Sequence, residues 1–177
     1  MKTTLRIVKL IQEASSAARE GDYVAAAECH KEIVRLDESK GCGPNPFELS
    51  LVARYLASAG KDEEALDFAH RALQLNPSTT FALEAAAIVH ARRGEHGPGK
   101  EYTLRRLRQK PLSGNWLSTA LYHFLRFLCS FPWLRRRANT EVLRDLKNPG
   151  ISERGFRTWG HDYLESLSSD PKDEVVH

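Results

Sequence analysis

Two glycine–proline pairs recur at a fixed interval in the middle of this chain. Gly60 and Gly94 lie 34 residues apart, and so do Pro77 and Pro111. Each glycine precedes its proline by 17 residues, with helix-favouring residues between them. Glycine accepts left-handed backbone angles and proline cannot continue a helix. The interval therefore predicts pairs of helices that turn at a glycine and end at a proline.

The apolar residues around Gly60 recur with helical spacing. Two sets of four each fall on one face of a helix: Leu49, Val52, Ala53 and Leu56 before the glycine, then Ala65, Phe68, Ala69 and Ala72 after it. One helical hairpin cannot cover such a stripe, so hairpins of this kind stack on one another. The chain has 177 residues, 41% of them hydrophobic, which is enough to bury a core.

These features resemble the tetratricopeptide repeat family. Residues 46–77 match its pattern most fully: Leu49, Val52, Ala53 and Leu56 take the large, large, small and large positions of the first helix, Gly60 the turn, Ala65 and Ala72 the small positions of the second helix, and Pro77 the closing proline. Ala69 departs from the family, where a large aromatic residue is usual, and Phe68 lies beside it.

Two weaker repeats flank this one. Residues 80–111 carry Leu83, Ala86, Ala87, Gly94 and Pro111, but Gly99 and Arg106 stand where small residues such as alanine are expected. Residues from about 7 to 40 carry Gly21, Tyr23 and Ala26 of the turn signature, whereas Glu13 and Glu38 do not match, and an inserted loop follows at 41–45.

The resemblance implies an all-α fold with three parts. Residues 5–111 are expected to form a right-handed superhelical stack of about three hairpins. Residues 112–168 are expected to form a C-terminal helical cap or extension that is aromatic and basic, and 169–177 a disordered acidic tail.

In this family the first helix of each repeat lines a concave groove, which implies where a partner binds. The groove-facing positions are Val8, Ile11, Ser15 and Arg19, then Phe47, Ser50, Leu51, Arg54 and Ser58, then Phe81, Glu84, Ala85, Ile88 and Arg92. We predict that the partner contacts Phe47, Leu51, Arg54, Phe81, Ile88 and Arg92. This apolar groove with a few arginines suits an amphipathic helix or an extended apolar peptide that carries acidic groups.

Two further expectations concern the groove. Family members that grip the acidic tails of chaperones use lysine and asparagine at positions that read Ile11, Ser15, Leu51, Phe81 and Ala85 here. None of these side chains can clamp a carboxylate, so chaperone-tail binding is not expected. The alternative to an external partner is that the protein's own C-terminal segment fills the groove.

The segment after Pro111 is rich in aromatic and basic residues. Residues 116–131 read as one helix that ends at Pro132, about 133–147 as a second that Asn148, Pro149 and Gly150 stop, and 152–167 as a third. The first is too short for a membrane span and carries His123 and Arg126.

Two roles for this segment remain open. It caps the third repeat, or it contacts a partner or an anionic membrane surface through Trp116, Phe124, Phe127, Phe131, Trp133, Arg135, Arg136 and Arg137. Basic residues dominate from Arg105 to Lys147, but nucleic acid is disfavoured as a partner because no recognised nucleic-acid motif is present.

Nothing in the sequence points to catalysis. The seven histidines form no HExxH arrangement, no phosphate-binding or GxSxG motif occurs, and the three cysteines make no CxxC pair. We therefore expect no enzyme, no catalytic, metal or cofactor-binding residues and no cofactor. The leading prediction is a protein–protein adaptor or scaffold. The alternatives are a peripheral membrane protein anchored through 116–137 and a self-assembling, homo-oligomeric scaffold subunit.

Charged residues at the start of the chain bear on its location. Lys2, Arg6 and Lys9 interrupt what would have to be the apolar core of a signal peptide. We expect a cytoplasmic protein, with peripheral membrane attachment as the alternative.

Overall fold

The structure is a computed structural model that describes residues 2–41, 43–109, 124 and 140–169. Its helices are α1 (Lys2–Glu20), α2 (Tyr23–Ser39), α3 (Pro46–Ser58), α4 (Asp62–Leu75), α5 (Thr80–Arg92), α6 (His96–Leu107), α7 (Thr140–Lys147) and α8 (Glu153–Ser168), with a 3₁₀ turn at Pro149–Ile151. No strand occurs in these ranges. The all-α prediction is confirmed. The chain divides into two compact units, residues 1–106 and residues 107–177.

The first unit is built from helical hairpins. Helices α1 and α2, α3 and α4, and α5 and α6 follow one another across turns of a few residues. The turns contain Gly21, Gly60 and Gly94, whose φ angles of 86°, 77° and 74° lie in the left-handed region that favours glycine. The predicted hairpin pattern and its turn residues are therefore confirmed.

The core of this unit lies between neighbouring hairpins. The apolar stripes predicted on α3 and α4 are buried there, except that Phe68 of α4 is only half-buried. The fully inaccessible members are Leu49, Val52, Ala53, Leu56, Ala65, Ala69 and Ala72. The alanines of α4 allow close approach to α3, while Val89 of α5 and Val34 of α2 complete the same cluster.

Three residues predicted to face the groove are instead buried. Glu84, Ser50 and Ala85 have almost no accessible surface. Glu84 on α5 accepts a hydrogen bond of 2.7 Å from Nε of Arg106 on α6, and both side chains are only 1% exposed. The prediction for these three positions is wrong because packing between helices covers them. Arg106, which departs from the repeat pattern in the third repeat, is the ionic partner of Glu84.

The second unit contains α7, the 3₁₀ turn and α8. Asn148 and Pro149 follow the end of α7, as predicted. Ser152 caps α8, because its Oγ accepts a hydrogen bond of 3.0 Å from the Gly155 amide and donates one to the Asp145 carboxylate. The predicted last helix is confirmed. The predicted aromatic helix at 116–131, apart from Phe124, the start of the next helix and the acidic tail from 170 lie outside the described residues.

Candidate functional site

One face of α3 and one face of α5 carry most of the residues that were predicted to face the groove. On α3 these are Phe47, Leu51, Arg54 and Ser58, and on α5 they are Phe81, Ala85, Ile88 and Arg92. At 3.6 residues per turn, each set of four falls within about 60° of its helix circumference. All of them except Ala85 are exposed or half-buried. We call these two stripes the first-helix face.

Three predicted contact residues meet at one end of the first-helix face. The ring centroids of Phe47 and Phe81 are 5.9 Å apart, and their planes are inclined by 51°. The guanidinium carbon of Arg54 lies over the Phe81 ring, 4.4 Å from its centroid. Helical side chains lean toward the N-terminus, which explains how Arg54 reaches back toward the end of α3 that carries Phe47. We call Phe47, Arg54 and Phe81 the aromatic–arginine cluster.

Local sequence holds Phe47 at the start of α3. Pro46 occupies the first turn, where its missing amide hydrogen is not needed, and the Asn45 side chain accepts a hydrogen bond of 2.9 Å from the Phe47 amide. The backbone is thereby held in place while the Phe47 side chain stays 52% exposed. Phe47 is therefore an exposed aromatic residue on an ordered helix start.

The other predicted contact residues lie apart from this cluster. Leu51 and Ile88 are half-buried on the same two stripes. Arg92 lies at the far end of α5, where its guanidinium binds the Ala57 carbonyl at 3.0 Å and the Asp62 carboxylate. Arg92 thus ties α5 to the turn between α3 and α4, and Asp62 offsets its charge.

Sequence reasoning missed this partner of Arg92. Asp62 and Glu63 open α4, and they meet Arg92 and Arg93 at the end of α5, with a distance of 2.7 Å between Arg93 and Glu63. The sequence does contain a signal for these ion pairs. The acidic pair Asp62 and Glu63 follows Gly60, and the basic pair Arg92 and Arg93 precedes Gly94, 30 residues later. Such pairs stabilise neighbouring hairpins against each other.

Helix α1 also exposes apolar side chains. Val8 and Ile11, which were predicted to face the groove, are 48% and 42% exposed. Leu5 is more exposed still and was not predicted, although its spacing of three residues from Val8 continues the same line. At the other end of this helix, Nε of Arg19 donates to the Ser15 carbonyl at 3.2 Å.

A different set of contacts joins the hairpins around α2. Nδ1 of His30 lies 2.7 Å from the Glu48 carboxylate, and its ring stacks on Tyr55 at 5.6 Å. Burial raises the pKa of the Tyr55 hydroxyl. Lys31 binds Glu64 of α4 at 2.8 Å. These contacts hold the array together and leave its first-helix face accessible.

Ionic contact alters both members of the Lys31–Glu64 pair. Burial acts to lower the pKa of Lys31, but hydrogen bonds to Glu28 and Glu64 outweigh it, so the pKa is raised. The hydrogen bond from Lys31 lowers the pKa of Glu64. Both shifts favour the charged forms, so the pair links α2 to α4 across the neutral range.

Metal-binding clusters and membrane-spanning helices are two other features that a site could use. Within the described ranges, no three histidine, cysteine, aspartate or glutamate side chains lie close enough to hold a metal ion. In the same ranges, no helix combines the length and the apolar character needed to cross a bilayer. Phe124 is exposed, while the other residues predicted for membrane contact, Trp116, Phe127, Phe131, Trp133 and 135–137, lie outside the described residues.

Stacked helical hairpins with an exposed aromatic and basic stripe on their first helices define an all-α helical-repeat protein with a candidate protein-binding face. The chain is 31% identical over 98 residues to the photosystem I assembly protein Ycf3 of Cyanophora paradoxa. The match covers 53% of this chain and 53% of that protein, so the similarity spans about half of each. No protein-family model matches the chain.

Proposed function

We propose that this chain is an interaction scaffold that binds a protein partner, as a peptide or a helix, on its first-helix face. The observation that carries the proposal is the aromatic–arginine cluster, in which residues from two successive hairpins meet at an accessible position. Leu51, Ile88 and Arg92 extend the proposed contact along the two helices. The tetratricopeptide assignment stays a prediction.

The physical basis of the proposal is the composition of this face. Aromatic residues and arginine are enriched at the energetic centres of protein interfaces. Aromatic rings bury large areas with few rotatable bonds, and the planar guanidinium of arginine has five hydrogen-bond donors and stacks on rings. Phe47 leaves about half of its surface in water although the array has a well-packed core, and burial against a partner would recover roughly 25 cal/mol per Å².

The comparison supports the proposal at a coarse level. The relative's name describes an assembly protein, and assembly requires binding to other proteins. A general role in protein assembly is therefore the part of the proposal that the comparison supports.

Site-specific crosslinking tests where the partner binds. A photoreactive phenylalanine analogue replaces Phe47 in the full chain, and the matched control places it at Leu75 of α4, which is also 52% exposed. After irradiation in native extract, we expect a discrete adduct from position 47 and none of the same mass from position 75. The same adduct from both positions, or an adduct from position 75 alone, contradicts the proposal.

Substitution of the cluster tests its contribution. Arg54→Ala combined with Phe81→Ala should abolish formation of the position-47 adduct while the helical circular dichroism signal is retained. The matched control combines Arg71→Ala with Phe68→Ala on α4, since Arg71 lies 5.1 Å from the Phe68 ring centroid in the same kind of contact. If the adduct survives the first double variant, these residues are not the contact.

A further inference from the structure

We infer that the buried His30–Glu48 pair positions Phe47 on the first-helix face, so that a residue outside this face controls the contact with the partner. This inference rests on the proposed function and adds positioning residues to it. His30 belongs to α2 and is buried, so it acts through Glu48 and not by touching the partner. Glu48 directly follows Phe47 in the first turn of α3.

A directional hydrogen bond joins the two residues of the pair. Nδ1 of His30 lies 2.7 Å from Oε2 of Glu48, and the two side chains are only 6% and 12% exposed. An ionised carboxylate can only accept hydrogen bonds, so Nδ1 is the donor. A carboxylate with so little access to water is costly without its partner, which makes this hydrogen bond a strong restraint on the start of α3.

His30 makes a second contact with α3. Its ring stacks on Tyr55 with 5.6 Å between the centroids, and Tyr55 stacks in turn on Tyr23 of α2. Glu48 and Tyr55 are seven residues apart, so they lie on the same side of α3, about two turns from each other. Two contacts on one side of a helix resist rotation about its axis. His30 therefore fixes how α3 is turned relative to α2.

The rotation of α3 decides where Phe47 lies. Successive residues of a helix differ in direction by about 100°, so any rotation that separates Glu48 from His30 also moves Phe47 around the axis. The Phe47 ring contacts Phe81 with 5.9 Å between the centroids. Because 52% of Phe47 is exposed, its own packing restrains it weakly. The contact between the two rings therefore depends on the orientation of α3.

The core between α2 and α3 is apolar and restrains their relative orientation less tightly. Ala27 and Val34 of α2 belong to the same buried cluster as Val52 of α3. Apolar contacts of this kind stabilise the hairpins but tolerate small shifts, whereas a hydrogen bond requires a particular distance and angle. A satisfied polar pair inside an apolar core can select one arrangement of the helices. This is the role that we assign to His30 and Glu48.

Fluorine NMR of the full chain tests the positioning without a partner. A trifluoromethyl-phenylalanine at position 47 reports the surroundings of that ring. Glu48→Gln keeps an acceptor for His30, so its position-47 resonance should match that of wild type. Glu48→Gln combined with His30→Leu loses the hydrogen bond and the ring contact but buries no unpaired charge, so it should fold. We expect its resonance to shift or split, and both variants share the same neighbour of residue 47.

The matched control for this experiment is Lys31→Met. Lys31 follows His30 on α2 and binds Glu64 of α4 at 2.8 Å, so it links the same two hairpins through α4 instead of α3. We expect Lys31→Met to leave the position-47 resonance unchanged. An equal change in this control would mean that any loosening between the hairpins displaces Phe47, which overturns the inference. An unchanged resonance in the variant with His30→Leu overturns it as well.

Circular dichroism establishes that each variant is folded. If His30→Leu lowers the helical signal of the Glu48→Gln chain, His30→Phe takes its place. His30→Phe keeps a ring beside Tyr55 and removes only the hydrogen bond, and the same two outcomes decide the inference.

Crosslinking from position 47 then connects the position of Phe47 to binding. We expect the partner adduct to be retained in Glu48→Gln and largely lost when His30→Leu is added. If the resonance moves but the adduct yield stays the same, the pair does not control the partner contact, and the inference fails while the proposed function stands. If wild type forms no adduct, the proposed function fails, and control of binding by the pair fails with it.

Discussion

Arg106 and Glu84 form an ion pair inside the array, with 2.7 Å between Nε and Oε1 and both side chains 1% exposed. The pair connects α6 to α5, so an ion pair stabilises the third hairpin. Arg106 occupies a position at which the repeat pattern predicts a small residue. A buried charge is costly unless it is paired, which makes this contact a sensitive point of the fold.

Removing one member of this pair should be strongly destabilising. Arg106→Ala is expected to lower the free energy of unfolding by about 3–5 kcal/mol, because Glu84 loses its buried ionic partner. Urea denaturation followed by circular dichroism measures the change. Replacing both residues by apolar ones (Glu84→Leu with Arg106→Met) should restore much of the loss. The control is Lys9→Ala in the exposed Lys9–Glu13 pair, with an expected effect of at most about 0.5 kcal/mol.

Equal effects of Arg106→Ala and Lys9→Ala would show that the buried pair contributes no more than a surface pair. In that case the closure of the third hairpin would have to come from other contacts, such as the stacking of Tyr102 on His90 at 5.6 Å.

Two glycine substitutions should differ in their effect on stability. Gly60 has a φ of 77° in the turn between α3 and α4, so Gly60→Ala should destabilise by about 1 kcal/mol. Gly97 lies in α6 directly before Pro98, and apart from its two chain neighbours nothing lies within 4 Å of an added Cβ there. Alanine gains helix propensity over glycine, but the proline ring disfavours helical angles at a preceding residue that carries a Cβ, so Gly97→Ala should change stability less than Gly60→Ala does. Thermal unfolding compares the two, and stabilisation by Gly60→Ala would contradict the turn geometry.

The Lys31–Glu64 pair predicts a specific pH dependence. Because the folded pKa of Glu64 is lowered, its contribution is present above the unfolded pKa and is lost as pH falls through the folded pKa. Because the folded pKa of Lys31 is raised, its contribution is present below the unfolded pKa and is lost as pH rises through the folded pKa. The pair therefore contributes across the neutral range and loses its contribution at both extremes.

Unfolding of wild type and Glu64→Gln over a range of pH measures this contribution. The difference in free energy of unfolding should be small, because Glu64 is half-exposed. This difference should be constant near neutral pH and should become smaller in acid and in strong alkali. Glu101→Gln, at an exposed site on α6, provides the matched carboxylate control. If the free energies of unfolding of wild type and Glu64→Gln depend on pH in parallel, ionisation of the Lys31–Glu64 pair does not contribute to stability.

Gly155 permits close packing in the second unit. A Cβ at this position would lie 2.9 Å from the Asp145 Cβ and 3.0 Å from the Pro149 carbonyl oxygen. Gly155→Ala should therefore loosen the junction between α7 and α8 at a cost of about 1–3 kcal/mol. Hydrogen exchange should show faster exchange of the α8 amides, with Gly97→Ala as the unaffected control. Unchanged α8 protection would mean that the junction tolerates the added methyl group.

The helices, their turns and the apolar stripes of α3 and α4 were predictable because they depend on local order in the chain. A left-handed turn needs glycine at Gly60 and Gly94, and a stripe such as Leu49–Leu56 depends only on spacing along one helix. The positions of Phe47 and Arg54 on α3 follow from the same periodicity, since both lie on the side of the helix away from its apolar stripe.

The pairing of polar residues depended on how separate helices pack. Glu84 and Arg106 lie 22 residues apart, and Arg92 and Asp62 lie 30 apart. A helical projection shows on which side of its helix a residue lies, but it does not show which residues of a neighbouring helix pack against it. Burial and ionic contact are properties of two surfaces together. Local patterning thus determined the hairpins and the stripes on their first helices. Helix packing determined that Phe47, Arg54 and Phe81 lie together as one cluster and that Glu84 is buried in an ion pair.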